Sequence, residues 1–426
     1  MFNQGGLSLE QAPPISVVLR FFVTASIFGV LLGLFLVADS LGLTASINNK
    51  QVIITHTLAL GVMASFMLGS LFQMLPVIAG VVLNMPTKKA TIVHLLFVVG
   101  LLIQLYAFAD ASTPLPYFLA SAYLGTGLLY SLYSMLKELI KIKDHSSSSK
   151  GMIFALGSFV LVILLGIYLL LTLGGYVDGA IFVQVKELHY SFALFGWLSL
   201  LIVSVSFQVI EMFYITPKYP TWMSRYLTLS IFILLLLKTI AIFMVVPTEL
   251  ITAFLSILFM LYAVVTIHRL YYRKRPTSDA TVWFWRLGMG LLIVSMFITL
   301  LDTFVEIGLE VKMLSYTTFI GFALSIVFAM TYKIVPFLTW FHLSNQGYIE
   351  APMMHDVIHP KKAKKQFYIH VAMLAVLAIS LFFNYFILNL LSAVLVLVSF
   401  GWLLYHLVYA IRKYQYTEKY TKKFEW

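Results

Sequence analysis

Long, uninterrupted apolar runs constrain the fold of this chain more than any other feature of its sequence. Twelve runs reach 18 residues or more, which lets a helix cross about 30 Å of hydrocarbon. Hydrophobic residues make up 61% of the chain and charged residues 11%, whereas a soluble domain is roughly half apolar and a quarter charged. A β-barrel would show short alternating segments instead, so the runs predict an all-α integral membrane protein with twelve transmembrane helices. The runs cover residues 15–38, 52–84, 91–110, 114–137, 152–174, 182–214, 221–246, 248–272, 280–308, 313–342, 366–388 and 390–412.

One pattern occurs three times, in the second, sixth and tenth runs. Each copy begins with glycine, has an aromatic residue eleven positions later and a polar residue at position twelve. The copies begin at Gly61, Gly196 and Gly321, which are 135 and 125 residues apart, and such self-similarity indicates a repeated unit. Four crossings return the chain to the same side, so we expect three parallel units about a pseudo-threefold axis. These four-helix units cover approximately residues 15–137, 152–272 and 280–412 of a single transmembrane domain, 1–426.

The distribution of lysine and arginine predicts the orientation of the chain. Most of the 28 basic residues lie in the even-numbered connections or the C-terminal tail, while the odd-numbered connections hold only Lys50, Lys186 and Lys312. By the positive-inside rule both termini are expected in the cytoplasm, and the net charge of +11 then faces lipid headgroups rather than nucleic acid. The first 14 residues show no basic n-region or cleavage site, so we expect no cleaved signal peptide.

Two histidines near the ends of apolar runs are the main candidates for binding heme or a metal ion. His56 lies near the start of the second run and His189 near the start of the sixth, at depths where ionisable groups are unusual. At about 100° per residue, one helix face carries His56 together with Met63, Met67 and Met74. Such a stripe suits heme iron or Cu(I), although methionine is also common filler in apolar interiors. The histidines precede their glycines by five and seven residues, so straight helices would not place them equivalently.

Charged and amide side chains inside the runs form a second group of candidates. Lys238 and Asp302 are expected at a similar depth in the seventh and ninth runs, where an ion pair would allow both charges to be buried. Such a pair could couple protons or substrate to transport, or it could simply hold two helices together. Gln73, Glu211 and Lys333 lie toward the other ends of the three repeat helices. They could line a polar path, with Glu211 paired to Lys333, or satisfy backbone carbonyls freed by nearby prolines.

Several stretches resemble uncharacterised bacterial membrane proteins that are labelled permease or cytochrome-oxidase-subunit-I-like. They span nearly the whole chain and are LRFFVTA (19–25), LGSLFQMLPVIAG (68–80), HYSFALFGWLSLLIVSVSFQVIEMF (189–213), DATVWFWRLGM (279–289) and YKIVPFLTWFHL (332–343). The three four-helix arcs resemble, more distantly, the catalytic subunit of heme-copper oxidases. These resemblances imply a heme-copper-oxidase-subunit-I-like fold in the bacterial inner membrane.

The resemblance to heme-copper oxidases also implies roles for individual residues. His56 lies where that family has a low-spin heme ligand, and His189 lies where it has a copper ligand. The seventh run contains no histidine for copper, and the tenth has Tyr316 near its start and lacks the two heme-ligating histidines. The resemblance therefore implies a divergent relative that lacks a complete binuclear centre and binds heme b or copper.

Two functions follow as alternatives. The first is binding of heme or copper for electron transfer, gas sensing or metal handling, with a redox partner. The second is a permease that moves a small solute or ion along a polar path between the second, sixth, seventh, ninth and tenth helices. The chain has no cysteine, phosphate-binding glycine loop, nucleophile elbow or zinc-protease motif. No catalytic residue can therefore be named, and enzymatic activity stays undecided.

Overall fold

Helices joined by short loops make up the computed structural model, which describes residues 12–110, 112–275 and 279–424. Within these ranges, extended backbone pairs only at an isolated bridge between Tyr348 and Lys423. The long helices are α1 (Ile15–Ser40), α2 (Lys50–Ala79), α3 (Pro86–Ala109), α4 (Leu115–Ile140), α5 (Ser147–Leu173), α6 (Phe182–Tyr214), α7 (Thr221–Phe243), α8 (Glu249–Tyr271), α9 (Ala280–Asp302), α10 (Leu309–Asn345), α11 (Pro360–Phe382) and α12 (Phe386–Tyr420). Residues 1–11, which carry most of the segment considered for a signal peptide, lie outside the described residues.

Eleven helices in the described residues are long and apolar enough to cross a membrane. The remaining long helix is α4, which has 26 residues and whose apolar stretch is interrupted by four tyrosines. Large apolar side chains such as Leu95, Phe254 and Val398 are exposed on the helices, which fits a surface that faces lipid. The prediction of an all-α, multi-pass membrane protein is confirmed, while the twelfth span stays a prediction.

Local sequence explains where several helices begin and end. The side chain of Asp279 caps α9 by accepting hydrogen bonds from the N–H groups of Thr281 and Val282 at 3.0 and 3.3 Å. Pro360 begins α11, at a position where its missing N–H would have no partner inside the helix. Gly80 ends α2 with a φ of 68°, a left-handed conformation that glycine adopts without strain.

Each helix packs against its neighbours in the chain, and α12 also packs against α1. Three of these contacts join the predicted units. The first two are α4 with α5 and α8 with α9, and the third is α12 with α1, the two ends of the described bundle. The last contact is especially close at Gly33, where an added Cβ would lie 2.5 Å from the Cα of Leu397 in α12. The last helix of each predicted unit therefore contacts the first helix of the next.

The three repeat glycines make equivalent contacts. A Cβ on Gly61 would lie 2.7 Å from the ring of Phe28 in α1, and one on Gly196 would lie 2.7 Å from the Cβ of Ser158 in α5. A Cβ on Gly321 would lie 3.1 Å from a leucine side chain of α9. In each copy the glycine thus allows close packing of the repeat helix against the helix that precedes it.

Two of the repeat helices contain a π-helical segment around the glycine. The segments are Thr57–Ala64 in α2 and Phe192–Ser199 in α6, and both run from four residues before the glycine to three residues after it. The third repeat helix, α10, is α-helical through the corresponding residues. π-helical segments are rare and often occur at functional sites. Their shared position in α2 and α6 therefore indicates a candidate functional region at this depth of the bundle.

Candidate functional site

A cavity of about 200 Å³, here named the polar cavity, lies between α6, α7, α8, α9 and α10. Its charged lining residues are Lys238 of α7, Asp302 of α9 and Lys312 near the start of α10. Hydroxyl-bearing residues complete the polar lining: Tyr190, Thr252, Ser295, Thr299, Ser315 and Tyr316. Lys238 is mostly buried, whereas the side chains of Asp302 and Lys312 lie near helix ends and are 33% and 38% exposed. A buried charge in an apolar bundle is costly, so this cavity is a candidate functional site.

The most buried charge of the polar cavity belongs to Lys238, whose side chain is 9% exposed. Its Nζ lies 3.1 Å from Oε1 of Glu187, in the first turns of α6. Asp302 instead pairs with Lys312, with 3.0 Å between Oδ1 and Nζ. The expected pairing of Lys238 with Asp302 is therefore wrong, because each side chain has a nearer partner, although both line the same cavity.

Substitutions of Lys238 and of Glu187 are expected to lower the free energy of unfolding by different amounts. Glu187→Gln leaves a mostly buried ammonium without its partner, and breaking a buried pair in this way costs about 3–5 kcal/mol. Lys238→Met leaves only Glu187, whose side chain is 32% exposed, so the free energy of unfolding should fall less. The double variant should regain most of the stability lost by Glu187→Gln. Thermal unfolding in detergent measures this order, and equal losses from both single variants would contradict it.

Hydroxyl groups join α9 to α10 along one wall of the polar cavity. The Oγ of Ser295 donates to the carbonyl oxygen of Ser315 at 2.8 Å, and the Oγ of Ser315 donates to that of Ser295 at 3.0 Å. The Oγ1 of Thr299 lies 2.9 Å from the Oγ of Ser315. These reciprocal bonds fix the distance between the two helices where Asp302 and Lys312 face each other.

A second void of about 70 Å³, here named the central cavity, lies mainly between the repeat helices α2, α6 and α10. Its lining is largely apolar. Positions five, six and nine after the glycine line it in all three copies: Phe66, Leu201 and Ile326; Met67, Ile202 and Val327; Ser70, Val205 and Met330. The three copies therefore present the same face of the repeat to one shared space.

The two cavities share α6 and α10 but lie at different depths. On these helices the polar cavity extends to Phe195 and Phe319, and the central cavity begins six and seven residues later. At a rise of about 1.5 Å per residue, the separation along the helices is roughly 9–11 Å. The rings of Phe195 and Phe319 meet edge to face with centroids 5.7 Å apart, so an aromatic contact lies at the inner limit of the polar cavity.

His56 and His189 have the same hydrogen-bond arrangement. The Nδ1 of His56 lies 2.9 Å from the carbonyl oxygen of Val52, and the Nδ1 of His189 lies 3.0 Å from that of Val162 in α5. Because a carbonyl oxygen only accepts, each Nδ1 carries the proton, and each neutral ring keeps its lone pair on Nε2.

The methionines predicted to accompany His56 divide into two groups. Met67 and Met74 line the central cavity, whereas Met63 is buried and is not among the described residues that line it. Across the described ranges, no three histidine, aspartate or glutamate side chains are grouped closely enough to hold a metal ion. Any metal site in this part of the chain therefore has to use fewer such ligands or other donor types.

The polar residues of the repeat motif have separate local partners. The Nζ of Lys333 lies 2.9 Å from Oδ2 of Asp279, and Glu211 accepts a hydrogen bond from the N–H of Tyr219 at 2.9 Å. The Oε1 of Gln73 is buried and has no hydrogen-bond partner in the described part of the chain. The expected pairing of Glu211 with Lys333 is therefore wrong, because each has another partner nearby. Among the described lining residues of the two cavities, none of the three motif residues occurs.

Asp279, just before the first turn of α9, takes part in contacts that link three helices. Burial opposes ionisation of its carboxyl group, but Lys333 and the hydrogen bonds from Thr281 and the N–H of Val282 outweigh it, so the pKa of Asp279 lies below its usual value. The ammonium of Lys333 also lies 5.5 Å from the ring centroid of Tyr214 in α6. This arrangement links α6, α9 and α10, and a structural role accounts for it.

Two fully buried histidines were not singled out from the sequence. The Nδ1 of His406 in α12 lies 2.9 Å from the hydroxyl of Tyr332, and the Nε2 of His370 in α11 lies 2.9 Å from the Oγ of Ser325. Tyr332 holds the aromatic position of the repeat, where the other copies have phenylalanine. This extra hydroxyl group was the sequence feature that could have indicated a buried hydrogen-bond partner. Both bonds attach the last two helices to α10.

The sequence matches no known family model and no curated protein. The resemblances to heme-copper oxidases and to bacterial permeases therefore stay predictions, and the function has to be argued from the geometry of the two cavities and the two histidines.

Proposed function

We propose that this chain is a permease of the bacterial inner membrane, with both termini in the cytoplasm and α4 as its twelfth span. Its helices would form three four-helix units about a pseudo-threefold axis. The equivalent contacts of Gly61, Gly196 and Gly321 support these units, as do the shared repeat positions that line the central cavity. The contacts of α4 with α5, α8 with α9 and α12 with α1 support a closed ring of units.

The proposed activity is movement of a small polar or charged solute through the polar cavity. The observation that carries the proposal is a void of about 200 Å³ that reaches from the partly exposed pair Asp302 and Lys312 at the helix ends to the mostly buried Lys238. Ion pairs that only hold helices together need no open volume beside them, whereas a solute site does. The central cavity lies deeper along the same two helices and supports a path that continues past Phe195 and Phe319.

Electrical recording from proteoliposomes tests this proposal. Purified protein would be reconstituted, adsorbed to a solid-supported membrane and exposed to concentration jumps of carboxylates, amino acids, inorganic anions and alkali cations. We expect a saturable current with at least one of these classes, absent from protein-free liposomes. Folded, correctly reconstituted protein that responds to none of them would contradict a permease of small charged solutes.

Heme b or copper binding, for electron transfer, gas sensing or metal handling, is the second candidate function. A specific observation favours it: the Nδ1 atoms of His56 and His189 are both held by backbone carbonyl oxygens. Such a hydrogen bond is typical of metal-ligating histidines, because it orients the ring and leaves Nε2 as the donor to the metal. Imidazole nitrogen is a ligand that heme iron and copper both accept, and a redox partner would then be required.

Alanine substitution of these histidines tests the second candidate. If the site binds heme, His56→Ala or His189→Ala should remove the Soret band of protein purified from heme-replete cells. If it binds copper, the same variants should remove stoichiometric copper measured by elemental analysis. The exposed His268 provides a matched control, and His268→Ala should keep the full signal. Wild-type protein that is colourless and free of metal would contradict this function.

A further inference from the structure

Three thioether side chains from two helices line the central cavity. Met67 and Met74 come from α2, and Met330 comes from α10. Counted from their glycines they occupy positions six, thirteen and nine, so Met330 lies between the other two in the shared register. At a rise of about 1.5 Å per residue, the steps along the axis are roughly 4.5 and 6 Å. All three side chains line the same cavity, and methionine side chains are flexible enough to rearrange there.

The rest of the lining is suited to a soft monovalent cation. Among the described residues that line the cavity there is no carboxylate, imidazole or amide side chain. Its hydroxyl groups belong to Ser70 and Thr331, and Thr331 already donates to the carbonyl oxygen of Val327 at 2.8 Å. Hard cations such as Mg²⁺ and Ca²⁺ need several oxygen ligands, whereas thioethers select Cu(I). Two phenylalanines and Trp285 also line the cavity, and aromatic faces attract cations.

The size of the central cavity limits what it can hold. Its volume of about 70 Å³ exceeds the roughly 10–15 Å³ that a single water molecule needs and is well below the 200 Å³ of the polar cavity. That space admits a dehydrated ion.

We propose that the central cavity is a Cu(I) site whose ligands are the thioether sulfur atoms of Met67, Met74 and Met330. It is distinct from the polar cavity, where the permease proposal places its solute, and from the pair His56 and His189. The metal enters and leaves as Cu(I), so binding involves no change of oxidation state.

Silver binding tests this site, because Ag(I) shares the preference of Cu(I) for sulfur and is stable in air. The full-length protein in detergent would be titrated with Ag(I), separated from unbound metal and analysed for silver. We expect about one ion per chain for the wild type, and at least tenfold weaker binding for Met67→Leu/Met330→Leu. Leucine nearly conserves the volume of methionine, so the variant should unfold at close to the wild-type temperature.

Two control variants separate silver bound in the central cavity from silver bound elsewhere on the chain. Met63→Leu/Met289→Leu removes two buried methionines outside the described lining, and it should bind silver like the wild type. His56→Ala/His189→Ala should also keep its silver. Unchanged binding by Met67→Leu/Met330→Leu, or equal loss in the methionine control, would overturn the proposal. X-ray absorption of the Cu(I)-loaded protein should show sulfur neighbours, and a shell of nitrogen or oxygen alone would also overturn it.

Discussion

Lys238→Met is expected to abolish solute-driven currents in proteoliposomes while the protein stays folded. Lys238 carries the most buried charge of the polar cavity, and methionine keeps an apolar stem there while it removes the ammonium group. Glu187, which loses its partner, is 32% exposed and can remain hydrated. For an anionic solute paired with Lys238, loss of the ammonium costs about 2–5 kcal/mol, which corresponds to roughly 30- to 4,000-fold in apparent affinity. Currents measured against solute concentration report this change directly.

A matched control lies at Lys50, just before the apolar part of α2. Its Nζ is 2.8 Å from Oδ1 of Asp39, and its side chain is 33% exposed, but it is not among the described residues that line the polar cavity. Lys50→Met should therefore leave the currents within about twofold of wild type. Currents from Lys238→Met that match the wild type would contradict the assigned role. Equal losses in both variants would also contradict it, because the effect would then come from charge removal in general.

Apolar run length predicted the helices well because a helix in lipid must satisfy its own backbone hydrogen bonds. The run 182–214 became Phe182–Tyr214, and the run 221–246 became Thr221–Phe243. The π-helical segments could not be predicted in the same way. The residues of the two segments, TLALGVMA and FALFGWLS, share little beyond the glycine and small or apolar side chains. Their geometry depends on packing against α1 and α5, which single-chain periodicity does not describe.

The candidate site was predicted only in part. Lys238 and Asp302 were expected at one depth, and both line the polar cavity, but their partners Glu187 and Lys312 were missed. Partner choice depends on how α6 and α10 are rotated about their axes, and a rotation of a few tens of degrees exchanges one neighbour for another. The sequence did contain a feature that could have predicted the partner of Asp302, because Lys312 lies just across the short connection between α9 and α10. The central cavity was not anticipated, although the repeat register locates its lining residues.

Gly33→Ala is expected to destabilise the protein strongly, because it adds an atom where α1 lies against the backbone of α12. The new Cβ would lie 2.5 Å from the Cα of Leu397 and 2.6 Å from its backbone nitrogen. Backbone atoms cannot rotate away as a side chain can, so the two helices would have to separate along their contact. Overpacking of this kind costs about 1–3 kcal/mol, and more where a long interface has to shift. The thermal unfolding temperature in detergent should therefore fall clearly below that of the wild type.

The comparison with Gly290→Ala isolates packing from the intrinsic preference of helices for alanine. Gly290 lies in the middle of α9, and no described atom lies within 4 Å of an added Cβ there. Alanine should stabilise this helix by up to about 1 kcal/mol, since it restricts the unfolded chain more than glycine does. The two identical substitutions should thus shift the unfolding temperature in opposite directions. If Gly33→Ala unfolds at or above the temperature of Gly290→Ala, α1 does not pack against α12 in this way. The proposed closure of three units into a ring would then lose its third contact.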